Sequence, residues 1–231
     1  MAIEIRPVTT DEVESIYRFR YNVYVEEMNR TQFYADHTSR TIRDPLDDSA
    51  VVLAAWDGQA VVGTVRYNFL RHSGIGEYFE LYNVAGIPPL LRENTSITTR
   101  LMVAPRFRGG TLASRLACAA YKDALVNGIQ VDLIDCNHHL ISFFSRLGYL
   151  THRDGAVHAE YGPVTVMRLN LLDQEHLSRV RSPFRTQLLE HLARQARPAC
   201  SRCQRIRPCL QIISREVTNS GCDRNSFTAI R

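Results

Sequence analysis

The segment Leu101-Met-Val-Ala-Pro-Arg-Phe-Arg-Gly-Gly-Thr-Leu-Ala113 joins an apolar run to a helical pattern through a cationic turn that carries two glycines. A chain with such a segment must set the end of a strand beside the start of a helix. Successive backbone N–H groups and the positive end of that helix then face outward, and the glycines let an anion come close to the main chain, which is how a pyrophosphate is held. Arg106 and Arg108 add positive charge at the same place. Beyond the turn, Leu112, Leu116, Ala119 and Ala120 recur at helical spacing, and the helix is favoured through Ala124.

The flanking sequence completes an α/β pattern. Ile3 to Val8 alternates like a first strand, and Thr10-Asp-Glu-Val13 opens a helix whose spacing continues through Ile16, Phe19, Val23 and Tyr24. Val51 to Trp56 and Ala60 to Leu70 are two apolar runs around Asp57-Gly58, a hairpin signal. Residues 71 to 95 carry three glycines and the pair Pro88-Pro89; this insert caps a pocket or holds short helices. Strands are expected at Thr95 to Val103, Val131 to Cys136 and Val164 to Leu171, with helix plus turn from Asn137 to Tyr149. The order β-α-β-β-insert-β-α-β-α-β fits a mixed sheet with helices on both faces.

Arg108-Gly-Gly-Thr-Leu-Ala113 resembles the acyl-donor loop of the Gcn5-related N-acyltransferase (GNAT) superfamily, with Thr111 in place of the usual central glycine. Asn137, Phe143, Leu147, Gly148 and Tyr149 resemble the second element of that superfamily, with Phe144 where many acetyltransferases carry a proton-donating tyrosine. Phe144 is either a plain core residue or the mark of a reaction that needs no acid. A pantetheine thiol, with a pKa of about 8.5 by analogy with cysteine, leaves fairly well unaided. The resemblance implies a mostly antiparallel central sheet flanked by helices. It also implies an acyl-phosphopantetheine co-substrate, acyl carrier protein or coenzyme A, bound by Met102, Val103, Arg108, Gly109, Gly110, Thr111, Leu112 and Ala113.

The N-terminal half is more specific. Arg20 with Tyr24, Asp44 with Asp47, Arg66 and Arg100 resemble the signature of the acyl-homoserine-lactone synthases and the long-chain N-acyl amino acid synthases. The resemblance spans roughly residues 3 to 190 and implies site roles for Arg20, Asp44, Asp47, Arg66 and Arg100. The single tryptophan is Trp56, and Ile97 stands where the lactone synthases carry a glutamate. Both departures favour the amino acid synthase branch, with an amino acid acceptor and an acyl carrier protein as the preferred donor and partner. Arg106, Arg108 and Arg115 are candidates to meet an acidic carrier surface.

On the residues alone, the three arginines and two aspartates, if they converge, either clamp the N-terminal region over the sheet or present one arginine, Arg66 or Arg100, to the acceptor's carboxylate. A backbone N–H of Met102 or Val103 could hold the oxyanion, and Asp44, Asp47 or Glu26 could accept a proton through water. His138 and His139 read as capping or exposed residues. Cys118 and Cys136 read as packing residues.

Charge divides the chain. From Gln174 onward eleven arginines face four acids, a net +7, whereas the first 173 residues carry 17 basic and 20 acidic side chains. The basic segment lacks interleaved aromatics, so no nucleic-acid partner is expected. No apolar run approaches the ~20 residues that cross a bilayer, and the first residues do not read as a secretory signal, so a cytoplasmic location is expected. A helix with an apolar stripe from Leu177 to Leu192 is interrupted by Pro183. Beyond it, Cys200, Cys203, Cys209 and Cys222 sit among prolines and arginines, at spacings that favour a flexible reduced tail over zinc. The expected organisation is an acyltransferase domain over 1–195 and a basic cysteine-containing tail over 196–231, with no metal and no permanently bound cofactor. The leading expectation is transfer of a fatty acyl group to the amine of an amino acid. Acetyl-coenzyme A-dependent N-acetylation and a non-catalytic module that senses an acyl thioester are the alternatives.

Overall fold

In the computed structural model, residues 2–72 and 74–196 are described. The four cysteines from Cys200 to Cys222, and with them the zinc and flexible-tail alternatives, lie outside the described residues. The chain runs through strand β1 (Glu4–Pro7), helix α1 (Val13–Tyr21), a small hairpin of β2 (Ala35–Asp36) and β3 (Thr41–Ile42), then β4 (Val51–Asp57) and β5 (Ala60–Phe69). Two short helices, α2 (Tyr78–Leu81) and α3 (Pro89–Arg92), fill the insert before β6 (Thr95–Val103). Helix α4 (Leu112–Val126), β7 (Val131–Cys136), α5 (Ile141–Leu147), β8 (Leu150–His158), β9 (Gly162–Asn170), α6 (Gln174–Arg179) and α7 (Phe184–Ala196) complete it.

Seven strands form one sheet in the order β1-β4-β5-β6-β7-β9-β8. Every neighbouring pair is antiparallel except β6 and β7. The expected mixed, mostly antiparallel sheet is therefore what forms. Strand alternation assigns the two faces. Leu53 and Ala55 of β4, with Val65, Tyr67 and Phe69 of β5, pack with Leu116 and Ala120 of α4. Ala54 and Trp56 of β4 pack with Ile16 of α1 on the other side. On that second face β5 presents Thr64, Arg66 and Asn68, all fully buried and all polar. A strand that buries polar residues at every second position needs partners for each of them.

Several elements differ from the sequence reading for local reasons. The segment Thr10–Glu12 is a 3-10 turn that leads into α1, capped by Thr9, whose N–H donates to Glu12 Oε2 at 3.0 Å. Helix α1 passes into a π-helical segment, Asn22–Glu27, that 3.6-residue spacing does not distinguish from helix. Strand β8 was not expected because most of its residues are exposed, so no apolar alternation marks it; it is an edge strand with two register shifts against β9. Pro183 separates two helices where one interrupted helix was expected. Buried Ser182 donates to the Leu147 carbonyl at 2.5 Å and accepts from the Phe184 N–H at 3.1 Å, so it both starts α7 and ties it to the end of α5.

Helix α5 ends at Gly148, whose φ is +113°. A Cβ there would lie 2.6 Å from Leu177 Cδ2 and 3.3 Å from Leu169 Cδ1, both on fully buried side chains. Gly148→Ala therefore combines a left-handed backbone with overpacking, and is expected to lower stability by about 2 kcal/mol, read from the urea midpoint at an unchanged slope.

Candidate active site

The polar face of β5 is answered by a buried ion network. The loop before β4 places Asp44 and Asp47 three residues apart, and the Asp44 N–H donates to Asp47 Oδ2 at 2.9 Å while the Leu46 N–H donates to Asp44 Oδ1 at 3.0 Å. Asn68 donates to the Leu46 carbonyl at 2.8 Å and fixes that loop on the sheet. Arg20 from α1 donates to Asp47 Oδ2 at 2.7 Å. Arg66 donates from Nη1 to Asp44 at 2.5 Å and to Asp47 at 3.1 Å, and from Nε to Thr99 Oγ1 at 2.9 Å. Arg100 donates from Nη2 to Asp44 at 2.9 Å and from Nη1 to Gln32 Oε1 and Tyr161 Oη at 2.8 and 2.9 Å. Three guanidinium groups thus face two carboxylates. Burial pushes the Asp44 carboxyl up, but Arg66 and Arg100 outweigh it and hold its pKa below the ordinary value.

Beside this network the sheet divides. Strand β6 pairs with β7 only from Thr95 to Ile97. Further on, the β5–β6 register shifts between Thr64 and Arg66, and Arg100, opposite the shift, has a φ of +54°. Such a bulge bends its strand and re-aims the side chain. The two strands separate into a cleft of about 530 Å³, with residues 98–103 on one wall and residues 134–137 on the other. Its inner end is lined by Tyr24, Arg30, Tyr78, Arg100, Asp135 and Tyr161. Its mouth is lined by Phe107 to Gly110, Ala113, Asn137, His139, Leu140 and Phe143.

The donor turn has the expected geometry. Gly109 takes a φ of +74°, and a Cβ on Gly110 would come within 3.3 Å of the Phe107 carbonyl. The first bond of α4 runs from the Arg115 N–H to the Thr111 carbonyl at 2.9 Å, so the N–H groups of Leu112 to Ser114 precede the helical ladder at its positive end. The Ala104 N–H donates to the Val62 carbonyl at 2.9 Å. Because N–H groups alternate direction along a strand, that of Val103 points away from β5 and toward the cleft. Arg108 donates from Nε to the Val103 carbonyl at 3.1 Å and pairs with Glu27.

A family model described as N-acyl amino acid synthase FeeM matches residues 15–170, more than half of the chain. The chain belongs to this N-acyl amino acid synthase family. It is an acyltransferase of the GNAT fold that carries an acyl group to an amine. Solved structures share that fold. BjaI, a CoA-dependent acyl-homoserine lactone synthase solved with SAM and isopentyl-CoA, is 21% identical over 79% of this chain and 91% of its own, with a TM-score of 0.60. FeeM, an N-acyl amino acid synthase from uncultured soil microbes, is 15% identical over 77% and 99%, with a TM-score of 0.56. A GNAT-family acetyltransferase from Staphylococcus aureus is 16% identical over 74% and 99%, with a TM-score of 0.50. Among curated protein sequences the chain has no significant match.

In this N-acyl amino acid synthase family member, the five charged residues of the N-terminal signature converge, and of its six residues Tyr24 and Arg100 line the cleft. Arg66, one of two candidates for the acceptor's carboxylate, is fully buried and spent on Asp44, Asp47 and Thr99. Of the donor-side residues, Met102, Val103, Arg108, Gly109, Gly110 and Ala113 line the cleft, Thr111 is exposed at the helix start, and Leu112 is in the core. Glu26 pairs with Arg40. Trp56 and Ile97 are core residues, and Phe144 is buried against Phe143 and Tyr149. Burial pushes the thiols of Cys118 and Cys136 up to about 11, so neither is a nucleophile at neutral pH. Arg30, Asp135 and Tyr161 were not singled out from the sequence. Asp135 had one signal, a carboxylate at the end of an apolar strand.

Asp47→Asn would leave the fully buried Arg20 without a counter-charge, and is expected to cost about 3–5 kcal/mol in urea unfolding at pH 7. The depressed pKa of Asp44 adds a pH signature. Its contribution is complete above the unfolded value of about 3.9 and disappears as pH falls through the lower folded value. Urea midpoints of the wild type should hold above about pH 4 and fall steeply below it.

Proposed function

We propose that the chain joins a fatty acyl group, delivered on acyl carrier protein, to the amine of an amino acid. The observation that carries this reading is the charge at the inner end of the cleft. Four guanidinium groups, the three of the network and that of Arg30, face the carboxylates of Asp44, Asp47 and Asp135 and leave one positive charge uncompensated. The Arg30 guanidinium stands 5.4 Å above the Tyr161 ring and makes no ion pair among the described residues. A carboxylate on the acceptor would settle there, held by Arg30 in the field of Arg100, with the rings of Tyr24 and Tyr161 beside it. A plain amine lacks that group.

On the donor side, the N–H groups that open α4 and the turn at Gly109 suit the phosphates of phosphopantetheine. The Val103 N–H is placed to receive the oxygen of the tetrahedral intermediate. Arg106 and Arg115 are exposed around the same turn, one paired with Asp57 and one bonded to the Ile3 carbonyl, and they give the mouth a basic rim suited to an acidic carrier. A cytoplasmic location is part of the same proposal. No described helix is long and apolar enough to cross a membrane.

Purified protein incubated with long-chain acyl carrier protein, and separately with long-chain acyl-coenzyme A and acetyl-coenzyme A, in the presence of an amino acid mixture, tests the reading by mass spectrometry. N-acyl amino acid from the carrier reaction is the expected product. Acetylated amine from acetyl-coenzyme A alone would replace the reading with that of an N-acetyltransferase. Arg30→Ala should raise the KM for the amino acid tenfold or more, as expected for a lost charged hydrogen bond, and leave the rate with its decarboxylated amine nearly unchanged.

A further inference from the structure

Amide formation needs a neutral amine, yet an amino acid arrives as an ammonium ion. Something in the cleft must hold that ion and take its proton. Asp44 and Asp47 are each committed to two arginines in the buried network, and Glu26 is paired with Arg40. His139 lines only the mouth and is exposed.

Asp135 differs from all of these. It is the penultimate residue of β7, on the cleft wall facing Arg100 to Val103, and it is half-buried rather than sealed. The Tyr82 hydroxyl donates to its Oδ1 at 2.5 Å and fixes the carboxylate's orientation. The Tyr82 ring is itself fully buried and packed at 5.2 Å against Tyr78, another cleft residue. The other titratable and charged groups around Asp135 are Tyr78 before Tyr82, His158 on β8, Arg100 on β6, and Asp132 and Cys136 on its own strand. None of them forms an ion pair with it. The backbone N–H of Glu160 donates to His158 Nδ1 at 3.0 Å, so the neutral ring carries its proton on Nε2, 3.3 Å from the Tyr78 hydroxyl.

We propose that Asp135 binds the acceptor's ammonium group and accepts its proton, acting as the general base for amide formation. The inference rests on the acyl-transfer reading above and assigns its missing group. An amino acid then spans the cleft, with its carboxylate toward Arg30 and its nitrogen toward Asp135. One proton passes from the ammonium to the Asp135 carboxylate. The freed nitrogen lone pair forms the C–N bond at the thioester carbonyl, the C–S bond breaks, and the pantetheine sulfur leaves with the bonding pair. The second proton lost from nitrogen ends on that thiolate, giving amide and thiol, while Asp135 returns its proton to water. Burial raises the carboxyl's pKa above the usual range, bringing it closer to that of the ammonium it must deprotonate.

Asp135→Asn keeps an acceptor for the Tyr82 hydroxyl, so the fold is retained. At pH 7 its kcat/KM for the amino acid should fall roughly 10²- to 10⁴-fold. Its log rate should then climb with pH between about 7 and 9, in proportion to the free amine, while the wild type stays nearly flat over that range. The wild type should lose activity at low pH as Asp135 protonates, and the variant should lack that limb. A variant profile parallel to the wild type's, or an undiminished rate at pH 7, would overturn Asp135 as the base. Absence of amide from the wild type at every pH, with all donors, would instead overturn the transfer reading and the base along with it.

Discussion

The pair between Arg66 and Asp44 organises the N-terminal half of this molecule. A guanidinium group in the middle of β5, with no exposed surface, is tolerable only with counter-charges brought to it, because an uncompensated buried ion costs several kcal/mol. The nearest chain that can supply them is the loop before β4. That loop must therefore fold onto the sheet, and once Asp44 and Asp47 are there, Arg20 and Arg100 follow. Helix α1, the loop, β5 and β6 are thus bound at one point. A hydrophobic core of the same volume would give comparable stability, but it would not leave a net positive charge at the end of a cleft.

The same residues explain how the cleft opens. Arg100 must turn from its strand to reach Asp44 and Gln32, and it does so through a left-handed backbone conformation opposite a register shift. That distortion coincides with the place where β6 and β7 cease to pair. On the other side of the cleft, the π-helical segment after α1 sets Tyr24 over Arg100, with 5.1 Å between the guanidinium and the ring centroid. A regular α-helix from Arg20 would place Tyr24 directly above it on the same face. The extra width of the π turn lets Arg20 point into the network while Tyr24 points into the cleft. A π turn and a register shift both lie beside the cleft, as is common for such turns.

What the sequence revealed follows from the range over which each signal acts. The donor strand Thr95–Val103 and β7, Val131–Cys136, are legible to the residue, because apolar runs bounded by turn residues are local signals. The glycine turn between β6 and α4 is legible for the same reason, though not that Gly109 takes a positive φ in it. Edge strand β8 is not, because its exposed residues carry no period. Among the site residues, Arg20, Asp44, Asp47, Arg66 and Arg100 stand out by their resemblance to a family signature, but which of them face a ligand depends on burial that no local pattern encodes. Arg66 and Arg100 look equivalent as letters. One is sealed and the other lines the cleft.

The two carboxylates of β7 show why the site's chemistry needed the fold. Asp132 and Asp135 are three residues apart on one strand, so strand geometry sends them to opposite faces. Asp132 receives hydroxyls from Ser96 and Tyr149 at 2.5 Å and from Thr98 at 2.9 Å, and does not itself line the cleft. Burial pushes its pKa up to about 6 even so, but with three donors around it and no open side it can only hold the sheet together. Asp135 has one hydroxyl donor and an open side toward the acceptor end. Two identical groups on one short strand are thereby separated into a structural acid and a proton acceptor, by environment alone, as happens wherever neighbouring carboxylates take different roles. Exchanging the register of β7 by a single residue would reverse the two. The short, well-defined pairing with β6 and the six-residue pairing with β9 are what prevent it.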